Sequence, residues 1–243
     1  ARFQAAMAAP VAARCVLFPV YAFNVEVARA PWVTQEPMIA EMRLQWWRDA
    51  LDEIGAGGVE GGVVRRHEVV TPLARVLDAN GTGLLDDLIE ARRWDIGRDP
   101  FEDEADFTRY IEATSGNLIR VAARALGPAD DDVLRDAGFA LGLANWFRAI
   151  PALEAAGRKP LPDGRSGAVR ALAHEGLRRL TRARSARRKV SRAAALALLP
   201  LWEAGPVLRR AARRPGAVAD GTLDPAPVRS RFTLMLRALS ERW

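Results

Sequence analysis

With 243 residues, 49% of them apolar, the chain is long enough to bury the core of one large domain, and its single cysteine excludes an internal disulfide. Residues 1–157 hold 16 Arg against 24 acids, a net of −8, whereas residues 158–243 hold 18 Arg and 2 Lys against 6 acids, a net of +14. A half this basic is suited to an anionic partner such as a membrane surface, a phosphorylated ligand or an acidic protein. Nucleic acid is disfavoured, because the basic stretches lack interleaved aromatics and any binding motif.

Taken in chain order, helical signals recur and strand signals do not. The opening "ARFQAAMAAPVAARCVLFPVYAF" has no charged region followed by a clean apolar run and cleavage site, so it does not read as a secretory signal. No stretch reads as a membrane span, and Cys15, inside an apolar run, is expected to be buried. These features point to the cytoplasm, with peripheral attachment to the inner membrane. The first long helix has Thr34 as N-cap, Pro37 in its first turn, and apolar residues at Met38, Met42, Trp46, Ala50 and Ile54. Residues 55–62 are read as a loop. A second helix takes Thr71 as cap and Pro72 as its first residue, with Asn80-Gly81 as its stop. A third runs up to Pro100, and a fourth spans 104–126 with a weak spot at Ser115-Gly116-Asn117. The next covers about Val133 to Ile150, where Pro151 is expected to break or kink it. Arg-rich helices are expected at 166–189 and 191–213, and a final one near 225–242. The expected fold class is all-α, one domain over residues 1–243.

The stretch from Gly138 to Pro162 carries the most information. Small residues at Ala137, Gly138, Ala140, Gly142 and Ala144 allow a close helix contact, and Asn145 and Arg148 share one face. Ala149 and Leu153, four apart, share a face on which two aspartates would hold a divalent cation, and the cation a diphosphate. Gly157-Arg158 and Leu161-Pro162 close the segment. Near the start, Tyr21-Ala22-Phe23 is followed by Val25, Ala28, Arg29 and Trp32.

These pieces, together with "MRLQWWRDALDEI", "LIEARRWDIGRDPF" and "YIEATSGNLIRVAARALG", resemble the squalene/phytoene synthase family. The resemblance implies an isoprenoid-synthase helical bundle with a central cavity. It also implies two Asp-rich helices that bind Mg²⁺ and draw diphosphate from a prenyl substrate. Here Ala28, Arg29 and Trp32 stand at the first aspartate motif, and Ala149 and Leu153 at the second. Glu26 and Glu154 are poor substitutes, so no metal site is expected and Mg²⁺ is a cofactor only on an enzyme reading. Within the family, "AFNVEVARAP", "MRLQWW" and Arg148-Ala149-Ile150-Pro151 are most similar to a non-catalytic branch that includes the mitochondrial complex I assembly factor.

Two readings follow. One is a degenerate scaffold or assembly protein with no catalytic residues, which meets complex I subunits, an acidic protein or an anionic membrane. The other is a divergent prenyl-diphosphate transferase. A residual prenyl or lipid ligand would be met by Tyr21, Asn145 and Arg148, because Arg forks onto phosphate without a metal. The attachment patch is expected on Arg178, Arg179, Arg182, Arg184, Arg187, Arg188 and Lys189, with a second at residues 209–214. His67 and His174 are read as surface or capping residues. Asp95 and Asp99 are read as uninvolved in metal binding.

Overall fold

A computed structural model describes residues 1–57, 64–97, 99–240 and 243. Its helices are α1 (Arg2–Ala8), α2 (Val11–Arg29), α3 (Pro37–Gly55), α4 (Val70–Leu73), α5 (Ala79–Arg92), α6 (Glu104–Ile111) and α7 (Asn117–Arg124). They continue as α8 (Asp131–Ala155), α9 (Ser166–Ser185), α10 (Arg192–Ala195), α11 (Ala204–Arg213), α12 (Gly216–Ala219) and α13 (Pro227–Ser240). Among the described residues there is no strand, only an isolated bridge between Ala129 and Val190. The Gly-rich stretch beyond Gly57 lies outside the described residues.

The 25-residue helix α8 is the axis of the bundle, with α6, α7, α9, α11 and α12 packed around it. Its small residues make this possible. A Cβ on Gly138 would come within 2.6 Å of the Gly116 Cα, and one on Gly142 within 2.6 Å of the Ser115 Cβ. These contacts bring α8 against the segment Glu112–Gly116, a π-helical turn at the weak spot expected between α6 and α7. Phe23, Phe107, Phe139 and Phe147 are fully enclosed in one continuous core.

Several boundaries differ from the sequence reading. Helix α8 passes through Pro151 to Ala155: proline removes a single amide donor, and Ala156 still donates to the Ala152 carbonyl at 3.1 Å. The α8 cap is Asp130, whose carboxylate accepts from the Val133 amide. Asn80-Gly81 begins a helix and does not end one, since Asp78 caps α5 by accepting from the Gly81 amide at 2.7 Å. Thr34 and Thr71 are not helix caps; they accept from the Glu36 and His67 amides in the preceding turns. The region expected as one helix over 191–213 is divided by a 3-10 stretch, Leu196–Trp202, which contains Pro200.

Cys15 is exposed, a correction to the expected burial. The apolar run around it is helical, so it presents Val11, Cys15 and Phe18 outward while Leu17, Val20 and Phe23 enter the core. The span Val11–Trp32 is long and apolar enough to cross a membrane by length and composition, contrary to the sequence reading. In the bundle 44% of its most apolar window is buried.

Candidate functional site

A cleft of about 400 Å³ opens where α2 and its 3-10 extension approach the middle of α8. One wall carries Asn24, Ala28 and Trp32; the other carries Asn145, Trp146, Ala149 and Leu153. The positions singled out at the two degenerate motifs therefore meet across one space. Arg29 is the exception, pointing outward, mostly exposed and 3.5 Å from Glu26.

The rest of the lining was not foreseen. Arg2 of α1, Arg92 at the end of α5, Asp95 just beyond it, Tyr110 of α6, and Thr114 and Ser115 of the π-helical turn all reach the cleft. Asp95 is 2% exposed and accepts from the Tyr110 hydroxyl at 2.9 Å and from Arg92 at 2.9 Å. Arg92 also donates to the Tyr110 oxygen at 2.8 Å. Burial pushes the Tyr110 hydroxyl well above its ordinary value, so it stays protonated and serves as a donor to Asp95. Burial lowers Arg2 below the usual guanidinium value, and neighbouring Arg92 lowers it further.

The mouth is built by the segment after α8. Gly157 has φ +76°, a left-handed conformation that suits glycine, and the Arg158 amide returns to the Leu153 carbonyl at 3.0 Å to close the helix. Arg158 then stacks 4.7 Å from the Trp32 ring centre and donates to the backbone carbonyls of Asp95 and Gly97. Trp146 donates its ring N–H to the Pro160 carbonyl at 2.8 Å. The Gly-Arg-x-x-Leu-Pro spacing thus reads as a strap that fixes the rim of the cleft.

Of the three residues expected at a residual anion site, only Asn145 lines this cleft. Tyr21 is buried beside it, its hydroxyl 3.5 Å from the Ala197 carbonyl, with burial pushing its pKa up to about 12. Arg148 faces away and donates to Glu203 at 2.8 Å, and its Nε lies 2.6 Å from the carboxylate of the exposed Asp224.

The donor set does not fit Mg²⁺. Among the described residues lining the cleft Asp95 is the one carboxylate, and it is already held by Arg92 and Tyr110. A hard divalent cation requires several oxygen ligands and would face two guanidinium groups here. Glu26 pairs with Arg29, and Glu154 is exposed and outside the lining. Among the described residues no cluster of three or more His, Cys, Asp or Glu could hold a metal ion.

The expected basic patch is partly neutralised from within. Arg178 pairs with Glu175, Arg179 with Glu112 and Glu175, Arg182 with Asp136, and Lys189 with Asp130. Arg184 is half-buried; burial and the neighbouring Arg237 and Arg209 push it down to about 10. Arg187 and Arg188 are exposed. A second groove, lined by Arg209, Arg210, Arg213 and Arg214, runs beside α13. On α13, Phe232, Met235, Leu236 and Leu239 are exposed. His67 caps the turn before α4, its Nδ1 accepting from the Val69 amide at 3.1 Å.

Three comparisons bear on this architecture. A family model described as squalene/phytoene synthase matches residues 1–233. The chain is 31% identical over 158 residues to a Drosophila melanogaster protein named NADH dehydrogenase (ubiquinone) complex I, assembly factor 6 homolog. That match covers 61% of this chain and 45% of the relative, less than half of the relative's length. The crystal structure of a dehydrosqualene synthase in complex with ligand superposes with a TM-score of 0.73 at 14% identity. It covers 98% of this chain and 90% of that one, a likeness of fold.

Proposed function

The chain belongs to the squalene/phytoene synthase family, and from that premise we propose that it is a catalytically degenerate member, a scaffold in the assembly of NADH dehydrogenase complex I that works at a membrane surface. The observation that carries this reading is the meeting of Ala28 and Trp32 with Ala149 and Leu153 across the cleft, where metal-dependent ionisation of a diphosphate needs carboxylates on both walls. The similarity to the complex I assembly factor homolog points the same way. A divergent prenyltransferase would have to supply new ligands, and among the described residues the cleft offers one carboxylate, Asp95, already held by Arg92 and Tyr110.

Support for membrane attachment comes from the second basic groove more than from α9. Arg209, Arg210, Arg213 and Arg214 line a groove with Ser230 and Thr233 of α13, and the same helix exposes Phe232, Met235, Leu236 and Leu239; basic and apolar groups together are what an anionic headgroup layer takes up. Each engaged charge contributes about 1 kcal/mol near such a surface, so four suffice for reversible recruitment. Complex I subunits would then be met at the membrane.

Two measurements test the reading. Incubation with prenyl diphosphates, Mg²⁺ and NADPH is expected to yield no condensed isoprenoid, and clear turnover would refute it. Removing the gene from its host is expected to lower the amount of assembled NADH dehydrogenase. Assembly at the normal level in that strain would reject the partner while leaving the loss of chemistry intact.

A further inference from the structure

We infer that the outer face of the first half of α3 is a docking surface for a partner protein, and that it takes a cationic amphipathic helix. In the sequence Met38, Met42, Trp46, Ala50 and Ile54 read as one stripe, and the structure divides them. Steps of four residues advance about 40° beyond a full helical turn, so such a stripe winds around its helix. Ala50 and Ile54 are buried, whereas Met38 is 75% exposed, Met42 66% and Trp46 36%. Ala40, Leu44 and Trp47 supply the core contacts of this half in their place. The helix therefore carries a second apolar face that the bundle does not use. Ile39 widens it. Trp32 and Val33, at the end of the 3-10 turn that packs on α3, extend it, and both are nearly half exposed. Grouped apolar exposure of this kind differs from the scattered single side chains found on any surface.

The two tryptophans are anchors held in advance. A guanidinium covers each ring, Arg158 at 4.7 Å from the centre of Trp32 and Arg65 at 4.7 Å from that of Trp46. Between them in sequence, the unbranched methionines can repack to match an incoming side chain. Fixed aromatic anchors with adaptable neighbours lower the ordering cost of association and concentrate binding energy in a few residues. From Met38 to Trp46 the stripe runs about 12 Å, roughly two helical turns. The backbone here is hydrogen-bonded within α3, so the face offers side-chain ridges to a second helix and no edge to an extended strand.

Charge selects the partner. Glu36, at the N-cap of α3, and Asp52 form no ion pair among the described residues, and Asp49 is met by the neutral Gln45 amide at 2.8 Å. Glu41 and Glu53 are answered by Arg93 and Arg65. Against the three remaining carboxylates α3 sets Arg43, because its other cation, Arg48, is held by Asp86 and Glu90. An anionic headgroup layer would be repelled by this rim, and the same face of a second copy would bring like charges together. Lysine or arginine beside an apolar stripe complements it. The surface rests on the scaffold reading for its role, but its test reads binding alone. Failure here leaves the lost chemistry and the membrane contact of α13 as they stand.

The probe is a fluorescein-labelled leucine–lysine amphipathic helix, titrated with the full chain and followed by anisotropy at low and at high salt. Saturable binding is expected, weaker at high salt but not lost. Met38→Gln with Met42→Gln is expected to weaken it roughly tenfold or more, with melting temperature and flotation on anionic liposomes as in wild type. Asp49→Lys with Asp52→Lys should weaken binding at low salt and less so at high salt. A glutamate twin of the peptide should not bind. No saturable binding at low salt, a methionine double variant that binds like wild type, or a glutamate twin that binds as tightly as the lysine peptide would each overturn the proposal. Loss of flotation in the methionine variant would reassign the face to the membrane. A wild-type oligomer that the variant loses in sedimentation would reassign it to a second copy, and either result also overturns the proposal.

Discussion

Away from the cleft, a part-buried ion pair joins Arg148 of α8 to Glu203 at the head of α11, where the Ser230 hydroxyl also donates to the carboxylate at 2.7 Å. Burial alone would push the Glu203 carboxyl up; Ser230 and Arg148 more than offset it and hold it below the ordinary value. A depressed carboxylate pKa gives stability that is present above the unfolded value and lost as pH falls through the folded one. Arg148→Ala leaves that charge half-enclosed and unpaired, at an expected cost of about 2 kcal/mol at neutral pH. Urea unfolding should show the deficit narrowing near pH 4, about the ordinary carboxylate pKa; an equal deficit at both pH values would place the effect in packing. Sequence spacing alone could put Arg148 on the face of Asn145, but it could not show that the side chain turns toward Glu203, 55 residues later. Arg2 was hidden for the same reason. Its neighbours in sequence carry no signal, and only the return of α1 onto the bundle brings it to the cleft. Ser115 carried a hint, since a Ser-Gly-Asn step inside a helical pattern marks strain that π-turns relieve.

At the scale of elements, the packing of α8 on the Glu112–Gly116 turn rests on two glycines with different neighbours. A Cβ added to Gly138 would meet backbone, 2.6 Å from the Gly116 Cα, whereas one added to Gly142 would meet the Ser115 and Ile111 side chains. Backbone cannot rotate away, so Gly138→Ala is expected to be the more destabilising, by about 1–3 kcal/mol against a smaller loss for Gly142→Ala. Thermal unfolding should record a drop of roughly 2–4 °C per kcal/mol for Gly138→Ala; a gain in stability would mean the two elements separate freely. The small-residue run of α8 was legible because it stands out against the larger apolar residues that fill ordinary helix faces. Helix ends were less legible. Thr34 and Thr71 have the chemistry of caps, yet the adjoining turns take their oxygens, while Asp78 and Asp130 hold the capping positions. Asp130→Ala should cost about 1 kcal/mol, mainly through the lost α8 cap, and the same unfolding curve checks it.

For the whole molecule, the fold followed from motif order, which placed the two degenerate walls opposite each other. The surface charge did not follow from composition, because part of the basic half is paired with carboxylates of the acidic half. Arg179 with Glu112, Arg182 with Asp136 and Lys189 with Asp130 all join residues on either side of position 157. Flotation with anionic liposomes should therefore respond more to Arg213→Glu with Arg214→Glu than to Arg187→Glu with Arg188→Glu, and weaken steeply with salt. Equal loss from both double variants would spread the contact over two faces, and no flotation at low salt would leave an acidic protein as the partner. The same cross-pairing has a consequence for a severed chain. A single cut in the exposed turn near Gly157 would yield an acidic and a basic piece whose opposite fields steer them together, while α8 and α9 offer the apolar seam for re-joining. Mixed as separate polypeptides, the two should reconstitute one helical particle faster at low ionic strength, as a split protein that finds its own complement.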